Sequence, residues 1–158
     1  MSSPLLGVMS SSYRVIRYDA RGFGHSPAPK VKFTLLADLI AVLDHYALDR
    51  VAIVGCSQGG GSGLALALEQ PARASIASGD LMQPDPPVLD RLGEIAVPTS
   101  LLVGDADYPP LIESNRQAAA QIPGCRLTVV PGMDHLPPLR DPDLVLITIT
   151  TTLSRAGW

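Results

Sequence analysis

Hydrophobic positions along the chain fall into two alternating kinds of run. Val51–Val54 (VAIV), Thr99–Val103 (TSLLV) and Arg126–Val130 (RLTVV) are short and apolar or β-branched, as strands covered on both faces are. Tyr13–Tyr18 (YRVIRY) is β-branched, partly alternating, and ends at Asp19 and a glycine-rich turn, which predicts another strand. Ser75–Ser78 predicts a further short one. Between these runs, Leu35, Leu36, Leu39, Ile40, Leu43 and Tyr46 recur at helical spacing behind Thr34, a suitable N-cap, so a helix is expected to about Ala47. Leu64–Leu68 reads as a helix closed by Pro71, and Leu111–Ile122 as an amphipathic helix. Leu144–Leu153 (LVLITITTTL) conflicts with itself. Its Thr and Ile favour strand, but Asp141 as cap and Pro142 in the first turn favour helix, the reading adopted.

Strands that alternate with helices predict an α/β fold: a parallel sheet with helices on both faces. The proline-rich loop Ser26–Lys32 and the unpatterned stretch 79–94, with a short helix around Val88–Leu92, are the interruptions. At 158 residues a single domain, 1–158, is expected, with 79–94 as a linker inside it.

Composition narrows the function classes. Apolar residues are 46% and charged residues 17%, enough for a core, while aromatics at 4% leave that core to Leu, Val, Ile and Ala. The net charge of −3, without a basic run, argues against nucleic acid as a partner. No stretch approaches the roughly 18 apolar residues that cross a bilayer, so no membrane partner is expected. Cys56 and Cys125 make no disulfide framework, and Met1–Ser12 holds no Lys or Arg to open a secretory leader; a cytoplasmic protein is expected. Three scattered histidines and two distant cysteines supply no metal cluster, so neither metal nor cofactor is expected.

The sharpest local signal is Gly55-Cys56-Ser57-Gln58-Gly59, a G-x-S-x-G between a predicted strand and a predicted helix. A sharp reversal there crowds the flanking positions, hence the glycines. It also holds the serine hydroxyl at the carboxyl edge of the sheet, beside a helix N-terminus. A dinucleotide fingerprint would need glycine where Ser57 stands, and a P-loop needs Gly-Lys-Ser/Thr; neither fits. A nucleophilic serine needs a base, and the base an orienting carboxylate. His25 falls in a loop and His45 near a helix end, both read as surface residues. His135 follows the strand Arg126–Val130 directly and so lies at the same edge as Ser57. For the acid, Asp105 and Asp107 compete after Thr99–Val103, and Asp134 is a third candidate.

Tyr18-Asp19-Ala20-Arg21-Gly22-Phe23-Gly24-His25-Ser26, the elbow with its trailing Gly59-Gly60, Val97-Pro98-Thr99 with Gly-x-x-Asp, and Gly-x-x-His together resemble the α/β-hydrolase family. The likeness is nearest to small bacterial esterases, enol-lactonases and cofactor-free haloperoxidases. It covers about four fifths of the chain, Tyr13–Pro71 and Ile95 to about Leu153. The resemblance implies a Ser…Asp…His chain order, with Asp107, the fourth position of Gly-x-x-Asp, as the triad acid and His135 as the base. It implies two departures. Ser3–Ser12 aligns with the helix that follows the family's third strand, so three strands and a His-Gly oxyanion motif have no counterpart. Residues 79–94 stand where a cap domain usually lies, which gives a minimal hydrolase or a piece of a longer one.

These readings converge on a serine hydrolase of small, short-chain carboxylic esters, working through an acyl-enzyme with Ser57, Asp107 and His135. The oxyanion would be held by the N–H of Gln58. A second donor, Gly22, is expected if Tyr13–Tyr18 and Val51–Val54 pair directly and bring the Ala20–Gly24 loop beside Ser57. The alternatives are perhydrolase, haloperoxidase-type or enol-lactonase chemistry on the same triad, or an inactive remnant that binds a ligand or partner. An uncovered strand edge further predicts a homo-oligomer, most simply a two-fold dimer.

Overall fold

A computed structural model describes residues 4–79 and 88–158. Four strands, β1 (Val51–Val54), β2 (Ala74–Gly79), β3 (Thr99–Gly104) and β4 (Arg126–Val130), form one sheet in the order β1-β2-β3-β4. Every neighbouring pair is parallel, with Ala52 opposite Ile76, Ser78 opposite Ser100, and Leu102 opposite Thr128. Around the sheet lie α1 (Pro4–Met9), α2 (Leu35–His45), α3 (Gln58–Glu69), α4 (Pro109–Gln121), α5 (Pro137–Arg140) and α6 (Pro142–Arg155), with a 3-10 turn at Leu89–Glu94. The expected α/β class, a parallel sheet with helices on both faces, is what the chain adopts.

Strand alternation divides the core in two. Val51, Ile53 and Leu101 pack with Leu39 and Leu43 of α2, Leu64–Leu68 of α3, and Ala118 of α4. Ala52 turns the other way, onto Val145, Ile149 and Leu153 of α6 and Leu5 and Met9 of α1. On that side Ser100 and Thr152 share a buried hydroxyl–hydroxyl bond of 2.7 Å.

Local chemistry explains the helix starts. Thr34 Oγ1 accepts the N–H of Ala37 at 3.1 Å and caps α2. Asp141 Oδ1 accepts the N–H of Leu144 at 2.9 Å, with Pro142 behind it, and this cap decides the conflict at 144–153 in favour of helix. The threonines of α6 are accommodated because Thr148, Thr150 and Thr152 donate to the carbonyls of Leu144, Leu146 and Thr148. Ser75–Ser78 lies within β2, and the short helix expected at Val88–Leu92 is the 3-10 turn. Of the expected linker 79–94, residues 80–87 lie outside the described residues.

The structure corrects one strand. Residues 14–20 form no regular element, and no backbone ladder joins Tyr13–Tyr18 to β1. Instead both runs line one cleft of about 610 Å³. A β-branched run becomes a strand only when a ladder partner lies beside it, and among the described residues none does. No described helix is long and apolar enough to cross a membrane.

Candidate active site

β1 ends at Val54, and the chain reverses through Gly55-Cys56-Ser57 into α3. Ser57 takes φ +58° and ψ −121°, a conformation that costs a non-glycine residue of order 1–3 kcal/mol and recurs at functional sites. The two motif glycines are not equivalent. A Cβ on Gly55 would collide with the backbone of Gly59 and Gly60, whereas one on Gly59 would meet nothing within 4 Å. The crowding expected on both sides of the serine therefore applies to Gly55 alone. Gln58 is the first residue of α3, so its N–H has no acceptor within the helix and belongs to the set that binds anions at helix starts.

Three sequence-distant residues meet at this edge. His135 Nε2 lies 3.1 Å from Ser57 Oγ, and its Nδ1 lies 2.9 Å from Asp107 Oδ2. A carboxylate oxygen accepts, so Nδ1 carries the proton toward Asp107 and Nε2 faces the serine hydroxyl as an acceptor. The Asp107 side chain is only 7% exposed, against 36% for His135. Its other oxygen, Oδ1, accepts the N–H of Tyr108 at 2.7 Å, which sets the carboxylate plane.

The other acidic candidates serve the loops. Asp105 Oδ1 accepts the N–H of Gly132 at 2.6 Å. Asp134 accepts from Leu136 N–H at 3.1 Å and pairs with Arg140, whose Nε donates to Oδ2 at 2.8 Å. That guanidinium, helped by the Leu136 amide, holds the Asp134 carboxyl below the usual carboxylate range. His25 and His45 are exposed and lie apart from the triad; the His25 amide donates to Asp19, and the His45 ring packs edge-on against Tyr46.

The loops carrying acid and base are fastened together, a feature the sequence reading missed. Ala106 N–H donates to Met133 O at 3.0 Å and Asp105 N–H to Val130 O at 3.0 Å. At Gly104 a Cβ would strike the carbonyls of Met133 and Asp134. The signal was the glycine that opens Gly-x-x-Asp. Cys56 Sγ also reaches the His135 carbonyl at 3.7 Å, joining the elbow to the base loop.

The second oxyanion donor expected at Gly22 needs correction. Its premise, direct pairing of Tyr13–Tyr18 with β1, fails, and the Gly22 N–H donates to Pro27 O at 3.0 Å. The amides of Phe23 and His25 are likewise engaged inside the loop, by Ala20 O and Asp19 Oδ2. These three amides are held by the loop itself and are not presented to an oxyanion. Among the described residues no cluster of His, Cys, Asp or Glu forms a metal site.

A four-stranded parallel sheet with a strained serine at a strand-to-helix turn, linked through His to Asp, defines a class of α/β protein. Residues 7–128 match the family model for the alpha/beta hydrolase fold, and the chain belongs to that family. A relative from Variovorax paradoxus strain S110, RutD, named as a carbamate hydrolase, is 42% identical over 77 residues, 46% of this chain and 29% of its own. The chain thus matches less than a third of that relative's length. The enol-lactonase of Burkholderia xenovorans LB400 superposes with a TM-score of 0.85 at 20% identity, covering 96% of this chain and 85% of that one. A thermophilic esterase from Thermogutta terrifontis gives 0.82 at 20% identity, covering 96% and 84%. At such identities these two structures speak to the fold.

Proposed function

We propose that the protein is a serine hydrolase of small, short-chain carboxylic esters. The observation that carries this reading is the hydrogen-bonded chain Ser57 Oγ–His135–Asp107. Ser57 Oγ attacks the ester carbonyl carbon while His135 Nε2 takes its proton. The resulting imidazolium is oriented and stabilised by the Asp107 carboxylate through Nδ1–H. Negative charge on the former carbonyl oxygen is met by the Gln58 N–H and the N-terminal end of α3. Collapse breaks the C–O bond, and His135 returns the proton to the departing alkoxide. Water, deprotonated by the same imidazole, then cleaves the acyl-serine and regenerates the hydroxyl.

A fluorophosphonate probe tests this: one adduct is expected on Ser57 by mass spectrometry, and none in Ser57→Ala. A short-chain nitrophenyl ester should release alcohol in a burst that the same substitution abolishes. No adduct and no burst would leave a binding module.

The likeness to RutD favours carbamates as a second reading. The same nucleophile would then form a carbamoyl-serine, and a nitrophenyl carbamate turned over faster than the matching ester would select it.

A further inference from the structure

His135 sits in the run Asp134-His135-Leu136-Pro137-Pro138-Leu139-Arg140, and its two chain neighbours are tied to each other. Asp134 Oδ1 accepts the Leu136 N–H at 3.1 Å, a side chain bonding the amide two residues on. The ring closed by this bond runs through the backbone of His135, so φ and ψ of His135 both lie inside it. Those two dihedrals aim the Cα–Cβ bond, and with it the imidazole. Pro137 and Pro138 carry no N–H, so Leu136 offers the last amide before Leu139, whose own N–H is bonded to Leu136 O at 2.9 Å. The second oxygen of the same carboxylate, Oδ2, accepts Arg140 Nε at 2.8 Å, which leaves Oδ1 to Leu136. Arg140 ends α5, and the residue after it, Asp141, donates to Pro137 O at 2.9 Å and caps α6. The guanidinium therefore reaches Asp134 from a fixed backbone.

We propose that Arg140 is a positioning residue for the base: through Asp134 it fixes the backbone of His135 and so the aim of Nε2 at Ser57. This rests on the reading of His135 as the base of a serine hydrolase. Without Arg140, the half-exposed Asp134 carboxylate could turn and exchange the Leu136 amide for water. A guanidinium bonded through both Nε and Nη2 resists that rotation. Charge works in the same direction. Arg140, helped by the Leu136 amide, holds the Asp134 carboxyl below the usual carboxylate range, so it stays a charged acceptor wherever an imidazole can serve as a base. The other ties of this loop act at Gly132, at Met133 and at the His135 carbonyl. The Asp134–Leu136 bond differs from them in spanning the histidine. Both members of the ion pair are exposed, Arg140 at 60% and Asp134 at 42%, and such pairs add little to stability. Its consequence is therefore expected in the rate and not in Tm.

Arg140→Gln, Arg140→Lys, Asp134→Ala and the Asp134→Ala/Arg140→Gln double variant test the proposal. For each, kcat and KM on a short-chain nitrophenyl ester, Tm, and amide hydrogen exchange at Leu136 are measured on the whole chain. Misplacing a reacting group by about 1 Å costs about a hundredfold, so the partial loosening in Arg140→Gln should lower kcat about tenfold, with KM and Tm hardly moved. Arg140→Lys keeps one charged donor and should recover most of that loss. The double variant should be no slower than Asp134→Ala, because Arg140 acts through Asp134 alone. Exchange at Leu136 should quicken about tenfold in Arg140→Gln and further in Asp134→Ala. Any of four results overturns the proposal. The first is an unchanged kcat in Arg140→Gln; the second is single losses that multiply in the double variant. The third is Arg140→Lys no better than Arg140→Gln, and the fourth a loss of kcat matched by a fall in Tm, which would make the pair merely structural. Exchange at Leu136 needs no turnover, so its being unchanged in Arg140→Gln overturns the proposal in an active or an inactive protein. Failure of a fluorophosphonate to label wild-type Ser57 overturns the hydrolase reading instead.

Discussion

Asp105 and Gly132 join the two loops on which the acid and the base stand, through an N–H···O bond of 2.6 Å. Asp107, two positions later, reaches the His135 ring itself at 2.9 Å. The two aspartates therefore differ in kind: one fixes where the histidine loop lies, the other orients the imidazole.

Alanine at each should separate these roles. Ser57→Ala and His135→Ala should each remove about 10⁴–10⁶-fold of kcat, and Asp107→Ala somewhat less, because triad members act as a unit. Asp105→Ala should be mild beside Asp107→Ala, since the loop keeps its Ala106–Met133 and Asp105–Val130 backbone bonds. Steady-state hydrolysis of a nitrophenyl ester measures all four. A larger loss from Asp105→Ala than from Asp107→Ala would assign the acid to the wrong residue.

Gly55 and Gly59 frame the nucleophile but should answer substitution in opposite ways. Gly55→Ala forces a Cβ into the backbone of Gly59 and Gly60, so the elbow must open. A cost of about 1–3 kcal/mol or more is expected, together with loss of activity. At Gly59, inside α3, a Cβ meets nothing within 4 Å. Alanine there is a better helix former by roughly 0.5–1 kcal/mol, so Gly59→Ala should hold or raise Tm. Thermal unfolding of both variants by circular dichroism checks the contrast.

The elbow and His135 were legible because each depends on a short local pattern: strand, turn and helix around Ser57, and a loop directly after a strand for His135. Asp107 was singled out from Asp105 only by the family resemblance, since both follow the same strand. Helix starts were legible for the same reason, as Thr34 and Asp141 cap within three residues of themselves. What was hidden depends on neighbours far along the chain. Tyr13–Tyr18 has the residues of a strand, yet no spacing rule says whether β1 will lie within ladder distance of it. Gly22 as an oxyanion donor failed with that premise. The Asp105–Gly132 tie spans 27 positions and the Ser100–Thr152 pair spans 52, and no local pattern says that either pair will meet.

The Ser100–Thr152 pair carries its own prediction. Thr152 Oγ1 donates to Thr148 O at 2.6 Å, so across the 2.7 Å contact it accepts from the Ser100 hydroxyl. Thr152→Val strands a buried donor and should cost about 1–3 kcal/mol. In the double variant Ser100→Ala/Thr152→Val no donor is stranded, and its loss should fall well short of the summed single losses. Urea midpoints for the three variants decide it. Additive losses would mean that the two hydroxyls do not depend on each other.

Cys125 lies half-buried against the core and close to the backbone of Leu101. Burial, which outweighs the backbone contact and the charge of Arg155, pushes its thiol up to about 11. The thiolate is the reactive form, so at pH 8 a free cysteine with a pKa near 8.5 should react with iodoacetamide about a hundredfold faster or more. The same shift has a consequence for stability. The folded state holds the proton more tightly than the unfolded chain does, so this contribution is present in full below about pH 8.5 and is lost as pH rises through about 11. Wild-type protein should therefore lose more of its urea midpoint between pH 8 and pH 11 than Cys125→Ala does. Peptide mapping of alkylation at pH 8 supplies the independent check: Cys125 should be modified only as fast as the protein opens, and rapid labelling in the folded protein would show that burial does not hold the thiol neutral.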